Sequence, residues 1–213
     1  MDRFLHDLRE ATADVERQLA LEDRGWMRSG GNAGMSAAER VENVRMSRIY
    51  AAHDPLCRQA IRLWTDYTFG TGMGWTCEDE GVQRVLQAYW EHRPNRPLLS
   101  AAGQRRSNDQ LMVDGEVFFC LFPSPDGRAT VRRIDPLEIT EFVTDPDDQE
   151  SVRYYRRDWT TPQGQTRTGY YRSSGNLEDE PCPSAQGREV TADQEGIVFH
   201  FAYNSLGERG VPL

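Results

Sequence analysis

Apolar side chains recur every three to four residues through the first half of the chain, which is the period of an amphipathic α-helix. The pattern predicts a first helix over residues 4–19, with apolar positions at Phe4, Leu8, Ala11, Val15 and Leu19. Four more helices are expected, a weaker one over 36–49 and clearer ones over 55–69, 80–92 and 98–111. The first half of the chain is therefore predicted to be helical.

The helices over 55–69 and 80–92 have the clearest signals. Asp54 is suited to cap the first of them, Pro55 occupies its first position, and Gly70 follows its last turn. Its apolar face consists of Leu56, Ala60, Leu63, Trp64 and Tyr67. The second helix is ended by Pro94, and its apolar face consists of Val82, Val85, Leu86, Tyr89 and Trp90. Both faces belong to the pattern expected to build the core.

Beyond residue 112 the pattern changes to strands. The apolar run 117–122 has strand length and is expected to be buried on both faces. Ser124-Pro125-Asp126-Gly127 is a type I turn sequence that leads into a second strand at 129–134. These two strands are predicted to form a hairpin.

A second hairpin and a final strand follow. The hairpin is predicted from strands at 152–159 and 167–171, joined through residues 161–164, and the final strand lies at 197–203. The acidic, polar segment 173–195 contains Pro181, Pro183 and Gly187 and is predicted to be a long exposed loop.

The order of the elements predicts the α+β class, with N-terminal helices followed by an antiparallel, hairpin-rich β segment. The glycine-rich stretch 28–34 interrupts the helical pattern and is typical of a linker. We expect residues 1–34 to be an N-terminal helix with its linker, and residues 35–213 to be one α+β domain. Deletion of residues 1–34 should then leave the remainder folded.

Composition and charge narrow the functional classes. The net charge is −9, and all 25 basic residues are arginine. An acidic chain does not wrap DNA, because that mode of binding requires a clustered positive surface. The four cysteines show no C-x-x-C spacing, and Cys57 and Cys120 are expected to be buried thiols of a protein in a reducing compartment. No apolar stretch is long enough to span a bilayer, so no membrane association is expected.

Motifs for catalysis, cofactors or metals are weak. Gly70-Thr71-Gly72-Met73-Gly74 follows a helix, where a dinucleotide fingerprint requires a strand, and is better explained as a helix end with a tight turn. The aspartates at 145, 147 and 148 lack the glycine and closing glutamate of a calcium loop and are more typical of turns. We therefore predict no catalytic, cofactor or metal residues, and no ATPase, nuclease or protease activity.

The roles of His200 and of three arginines in the predicted strand 152–159 are considered next. His200 is expected to be a partnered histidine within a sheet. Arg153, Arg156 and Arg157, interleaved with aromatic residues, would suit a single-stranded nucleic acid surface. Alternation along a strand instead places Tyr155, Arg157, Trp159 and Arg153 on one face, where such pairs stabilise a sheet. We favour the structural interpretation.

Several segments together resemble portal proteins of tailed bacteriophages, in the same order and at similar separations across residues 40–213. They are Asp54-Pro55-Leu56 through Trp64 to Gly70-Thr71-Gly72, Asp114-Gly115-Glu116-Val117-Phe118-Phe119, Val131 through Ile134-Asp135-Pro136-Leu137-Glu138-Ile139, Thr144-Asp145-Pro146-Asp147-Asp148, and Ile197-Val198-Phe199-His200-Phe201. The last is followed by Arg209-Gly210-Val211-Pro212, which is similar to the junction where portals pass into their next helix.

The resemblance implies a virion protein, assembled in the host cytoplasm as a dodecameric ring at one capsid vertex. It implies contacts with other portal subunits, the terminase, the capsid or scaffold, head–tail adaptor proteins and, loosely, double-stranded DNA. Arg209, Gly210 and Pro212 would form the turn into the following helix. Portals continue into a stem and clip, so residues 35–213 would resemble the outer wing region of a portal, incomplete at its C-terminal end. We therefore expect residues 1–213 alone to be monomeric or weakly self-associating, with the strand at Ile197 left partly uncovered.

Two other classes remain open. One is a non-enzymatic protein-interaction or adaptor module, and the other is an enzyme with a dispersed site. A pocket with clustered titratable residues would favour the enzyme.

Overall fold

The computed structural model describes residues 36–148, 150–184, 186–205 and 209–212. The helix predicted over 4–19 and the linker over 28–34 lie outside the described residues, and so does the predicted domain boundary.

Five α-helices form the first half of the described chain: α1 (Ala37–His53), α2 (Pro55–Phe69), α3 (Glu80–Glu91), α4 (Arg96–Leu99) and α5 (Ala101–Asp114). Side-chain caps explain their starts. Ser36 and Glu39 form a reciprocal capping box at α1, and the Asp54 carboxylate accepts a 2.8 Å hydrogen bond from the Leu56 amide at α2. The single helix expected over 98–111 is divided, because Ser100 is extended and caps a new helix.

The second half forms eight strands: β1 (Glu116–Pro123), β2 (Ala129–Ile134), β3 (Ile139–Thr144), β4 (Val152–Thr160), β5 (Thr166–Ser173), β6 (Cys182–Pro183), β7 (Glu189–Val190) and β8 (Ile197–Ala202). Six of them form one sheet in the order β2-β1-β8-β5-β4-β3. All pairings in that sheet are antiparallel except the short β5–β8 pair. Both predicted hairpins and the α+β class are confirmed.

Strand β3 was not predicted from the sequence. A register shift between Ile139 and Glu141 breaks the alternation of buried and exposed positions, so that Ile139 and Phe142 pack into the same cluster. A bulge of this kind removes the period of two by which a strand is recognised.

The main core lies inside the curled six-stranded sheet. Phe118 of β1 is fully buried, and its ring centroid lies 6.0 Å from that of Phe142 in β3 and 5.7 Å from that of Tyr155 in β4. Because β8 and β5 separate β1 from β4 in the order of the sheet, this contact requires strong curvature. Cys120, predicted to be buried, lies in this core, and burial raises the pKa of its thiol to about 12.

The segment 173–195 is not the exposed loop that was predicted. It contains the β6–β7 hairpin, whose Cys182 and Val190 pack with Val143 and Tyr154 in a second buried cluster. Asn176 in the same segment is also buried. The segment was predicted to be exposed because it is polar on average. Two of its few apolar residues, Cys182 and Val190, are nevertheless sufficient to complete a buried cluster with β3 and β4.

No helix among the described residues combines the length and apolar character needed to cross a membrane.

Candidate functional site: a buried charge cluster and exposed apolar faces

Glu116, at the start of β1, is a fully buried carboxylate. One of its oxygens lies 2.7 Å from Arg209 Nη2 and 3.5 Å from Arg40 Nη1. The other lies 3.2 Å from His200 Nε2 and 3.4 Å from the Gly210 amide. The cluster thus joins α1, β1, β8 and the segment 209–212. A buried carboxylate is costly unless it is paired, so separating any of these elements from β1 would leave Glu116 without part of its compensation. The cluster therefore favours the observed arrangement of α1, β1, β8 and residues 209–212.

Arg209 is enclosed by backbone and aromatic rings as well as by Glu116. Its guanidinium donates to the carbonyls of Ile139 and Pro136, each at 3.3 Å, and lies 4.4 Å from the centroid of the Phe142 ring. Burial lowers the pKa of Arg209 to about 10, although Glu116 acts in the opposite direction. Burial likewise lowers the pKa of Arg40, which shares the same carboxylate.

Gly210 and Gly115 allow two backbone segments to cross in contact. A Cβ on Gly210 would lie 1.9 Å from the carbonyl oxygen of Gly115, and a Cβ on Gly115 would lie 2.4 Å from the carbonyl carbon of Val211. Gly115 also has a φ of 79°, a conformation that favours glycine. The path of residues 209–212 therefore depends on two positions without side chains.

The structure brings together Arg209 and Gly210, two of the three residues predicted for the turn, around Glu116. Pro212 lies next to them against Gly115. His200, also in the cluster, was predicted to be a partnered sheet histidine, whereas no role was predicted from the sequence for Arg40 or Glu116. The available signal was a glutamate at the head of the apolar run 117–122, a position where an unpaired charge is unfavourable.

A second ionic group fixes α1 to the end of α5 and to the segment between β2 and β3. The Arg48 guanidinium lies 2.8 Å from Asp114 and 2.7 Å from Asp135. Burial opposes ionisation of Asp135, but hydrogen bonds from Arg48 and from the Leu137 amide outweigh it and hold the pKa of Asp135 below its ordinary value. Helix α1 is thus tied to the β segment at two points along its length, through Arg40 and Arg48.

The arginines of β4 support the structural interpretation. Arg157 Nε donates to Glu138 at 2.8 Å, and its guanidinium lies 4.9 Å from the Trp159 ring. Arg156 pairs with Glu141 and Asp158, and Arg153 pairs with Asp145. These carboxylates neutralise the charges that a nucleic acid would need.

One detail of that expectation was wrong. A register shift between Val143 and Thr144 makes Arg153 a bulged residue, so Arg153 does not share the face of Arg157 and Trp159. Arg153 instead lies 3.6 Å from Glu180, whose carbonyl also accepts the hydroxyl of Tyr154.

Other predicted motifs have structural roles. His200 is a partnered sheet histidine, stacked on Phe118 with ring centroids 4.4 Å apart. Gly70 ends α2 with a φ of 48°, and its amide donates to the Asp66 carbonyl at 3.0 Å. Asp145 accepts the Asp147 amide at 3.0 Å, as expected of a turn former. In the part of the chain that the structure describes, no three His, Cys, Asp or Glu side chains are placed to hold a metal ion.

The apolar face of α2 is exposed, contrary to the expectation that it builds the core. Leu56 is 80% and Tyr67 is 82% exposed, and Leu63 and Trp64 between them are also exposed. The side facing the protein carries Thr65, whose hydroxyl accepts a 2.9 Å hydrogen bond from Asn108 of α5. Cys57 lies at the margin of that side and is only half-buried, so its predicted burial was wrong.

Helix α3 also turns apolar residues to solvent. None of its residues is fully buried, and Val82, Val85 and Leu86 are exposed. A groove of about 880 Å³ separates α3 from the sheet. Its apolar lining is formed by Val85, Leu86, Tyr89, Leu121, Val131 and Phe199. The expectation that the Ile197 strand leaves apolar surface uncovered is confirmed, since Phe199 and Phe201 are exposed.

No family model matches the chain, and no curated protein matches it significantly.

Proposed function

We propose that the chain is a structural subunit of a tailed-phage portal ring, which supports DNA packaging and ejection and head–tail joining at one capsid vertex. The observation that carries the proposal is the exposure of large apolar side chains on α2, α3 and β8. Apolar surfaces of this extent are typical of protein–protein contacts.

A closed ring needs two different complementary surfaces on each subunit. The exposed stripe on α2 and the groove beside α3 belong to different elements and differ in shape, since one is convex and the other concave. This pair of surfaces supports a head-to-tail arrangement of subunits.

The buried cluster at Glu116 has a mechanical role in this proposal. Through Arg209, Gly210 and Arg40, it fixes the direction in which the chain leaves the sheet relative to α1. In a portal, that direction would set the course from the wing toward the following helix. The pairing of the cationic residues of β4 with carboxylates suits loose contact with double-stranded DNA.

The terminase, the capsid or scaffold, and the head–tail adaptor proteins are the further partners in this proposal, and the virion is its location. An adaptor module is the second candidate, favoured by the groove beside α3, because one groove is sufficient to bind a single partner.

The test is to express the complete reading frame that contains these residues and to image the product by electron microscopy, with native mass spectrometry for its mass. Rings of one rotational symmetry with a central channel support the portal proposal. A monomer contradicts it and favours the adaptor module.

A further inference from the structure

The loop that follows β5 presents an apolar side chain to solvent. Leu177 is 69% exposed, and the next residue, Glu178, is also exposed. Single exposed leucines are common on protein surfaces and need no explanation by themselves. The construction of this loop, however, is unusual for a surface turn.

Several hydrogen bonds, most of them partly buried, hold the loop in one conformation. The buried Asn176 side chain accepts from the Glu180 amide at 3.1 Å and donates to the Glu180 carbonyl at 3.3 Å. Arg172 donates to the Leu177 carbonyl at 2.8 Å. Asp179 adopts a φ of 56°, which is uncommon for a residue with a side chain, and accepts the Tyr154 hydroxyl. A loop ordered in advance loses little conformational entropy on binding.

The groove beside α3 complements this loop in both polarity and charge. Its floor is apolar, and Arg93 and Arg128 lie among its lining residues together with Glu91. Arg96 lines an adjoining cleft that shares Glu91 and Arg93 with the groove. Arg128 is also 3.6 Å from Asp126. Three arginines therefore face two carboxylates at this rim, whereas the loop tip is acidic.

We propose that Leu177 of one copy inserts into the α3 groove of a neighbouring copy, with Glu178 beside Arg93. The proposal rests on the proposed ring function and specifies one of its subunit contacts. The acidic tip and the basic rim belong to the same chain, so identical subunits supply both halves of a head-to-tail contact. The cations beside the α2 stripe are already engaged within the chain, because Arg62 and Arg105 both pair with Asp66 and Arg58 donates to the Ala52 carbonyl.

A photo-crosslinking amino acid at position 177 tests the contact directly. The protein from the complete reading frame is prepared as a mixture of isotopically light and heavy copies, so that mass spectrometry separates crosslinks between copies from those within one. Crosslinks between copies from position 177 to α3 or β8 are expected. Crosslinks only to other segments, or none between copies, overturn the proposal.

A charge exchange tests the pairing. Glu178→Arg and Arg93→Glu should each weaken self-association by about ten-fold, and the two together in one chain should restore most of it. Leu177→Ser should weaken self-association by about ten-fold or more. Glu189→Arg, the same charge change at an exposed position of the β6–β7 hairpin, is the matched control and should have no effect. Failure of the double variant to recover contradicts the pairing.

The two proposals fail separately. A ring without these crosslinks refutes the docking contact and leaves the portal proposal in place. The crosslinks in an assembly that is not a ring support the docking contact and refute the portal. Thermal unfolding of each variant identifies any loss of association that is caused by misfolding.

Discussion

At the residue scale, Glu116 shows how one buried charge organises several elements. Its carboxylate meets two guanidinium groups, a histidine and a backbone amide, and these partners come from positions as distant as Arg40 and Gly210. Loss of one member of a buried ionic group leaves the others uncompensated, which costs more than the pairing itself contributes.

Glu116→Gln should lower the free energy of unfolding by about 3 kcal/mol, because Arg40 and Arg209 would then share a neutral side chain in a buried site. Urea unfolding followed by circular dichroism measures the change. Glu189→Gln, at an exposed position, serves as the control and should change the free energy by less than about 0.5 kcal/mol. An equally small effect at position 116 would show that the cluster does not stabilise the fold.

Gly210→Ala should destabilise the protein by about 2 kcal/mol or more, because the new Cβ would meet the backbone at Gly115 and force the crossing segments apart. Gly74→Ala is the matched control, since no atom lies within 4 Å of its Cβ position. Thermal melting compares the two variants. Equal melting temperatures would contradict the close crossing.

The Arg48–Asp135 contact predicts a dependence on pH. The pKa of Asp135 in the folded chain lies below its ordinary value, so the ionised carboxylate stabilises the fold at neutral pH, and this contribution is lost as the pH falls through the folded pKa. Asp135→Asn should therefore cost about 1 kcal/mol near pH 7, a small effect because both side chains are partly exposed to solvent. Urea unfolding from about pH 7 to about pH 3 should show the deficit shrinking. A deficit that grows toward acid would contradict this assignment.

At the element scale, α2 faces the protein with its polar side and solvent with its apolar side, which is the reverse of a surface helix in an isolated globular domain. Its apolar stripe meets solvent, while Thr65 packs against α5 through polar contacts. Exposed apolar stripes of this kind are typical of surfaces that contact another protein.

Substitutions on the two sides of α2 should therefore have opposite consequences. Leu63→Ser should leave the free energy of unfolding of residues 1–213 within about 0.5 kcal/mol of the parent while reducing association at high concentration. Ile61→Ser, on the half-buried side, should cost at least about 1 kcal/mol. Urea unfolding and light scattering provide the two measurements. A larger loss of stability at position 63 would place the stripe within the core.

At the scale of the whole molecule, charge limits what the protein can bind. The net charge is −9, and the arginines of β4 are paired with carboxylates. We expect no measurable binding of a double-stranded DNA oligonucleotide at about 100 μM protein, even in low salt. Fluorescence anisotropy measures this, with an unrelated cationic DNA-binding protein as the positive control. A salt-dependent Kd in the low micromolar range would contradict the expectation.

Local chemistry in the sequence determined much of the fold. The caps at Asp54 and Gly70, the turn at Ser124 to Gly127 and the apolar run before it all depend on neighbours within a few residues, so helices and hairpins followed from the sequence. Strand β3 and the β6–β7 hairpin were not recognised from the sequence. The bulge in β3 removed its alternation, and the polar average of segment 173–195 hid the β6–β7 hairpin.

Which faces are buried was decided only by the tertiary structure. Periodicity identified the stripe on α2 correctly, but a period states which residues share a side and not whether that side meets the protein or solvent. The Glu116 cluster has the same origin, because it joins Arg40 near the start of the described chain to His200 and Arg209 near its end. The position of Glu116 at the head of an apolar run shows that a partner is needed, but no local pattern identifies the partners. They meet only when the curled sheet brings β1, β8 and residues 209–212 together with α1.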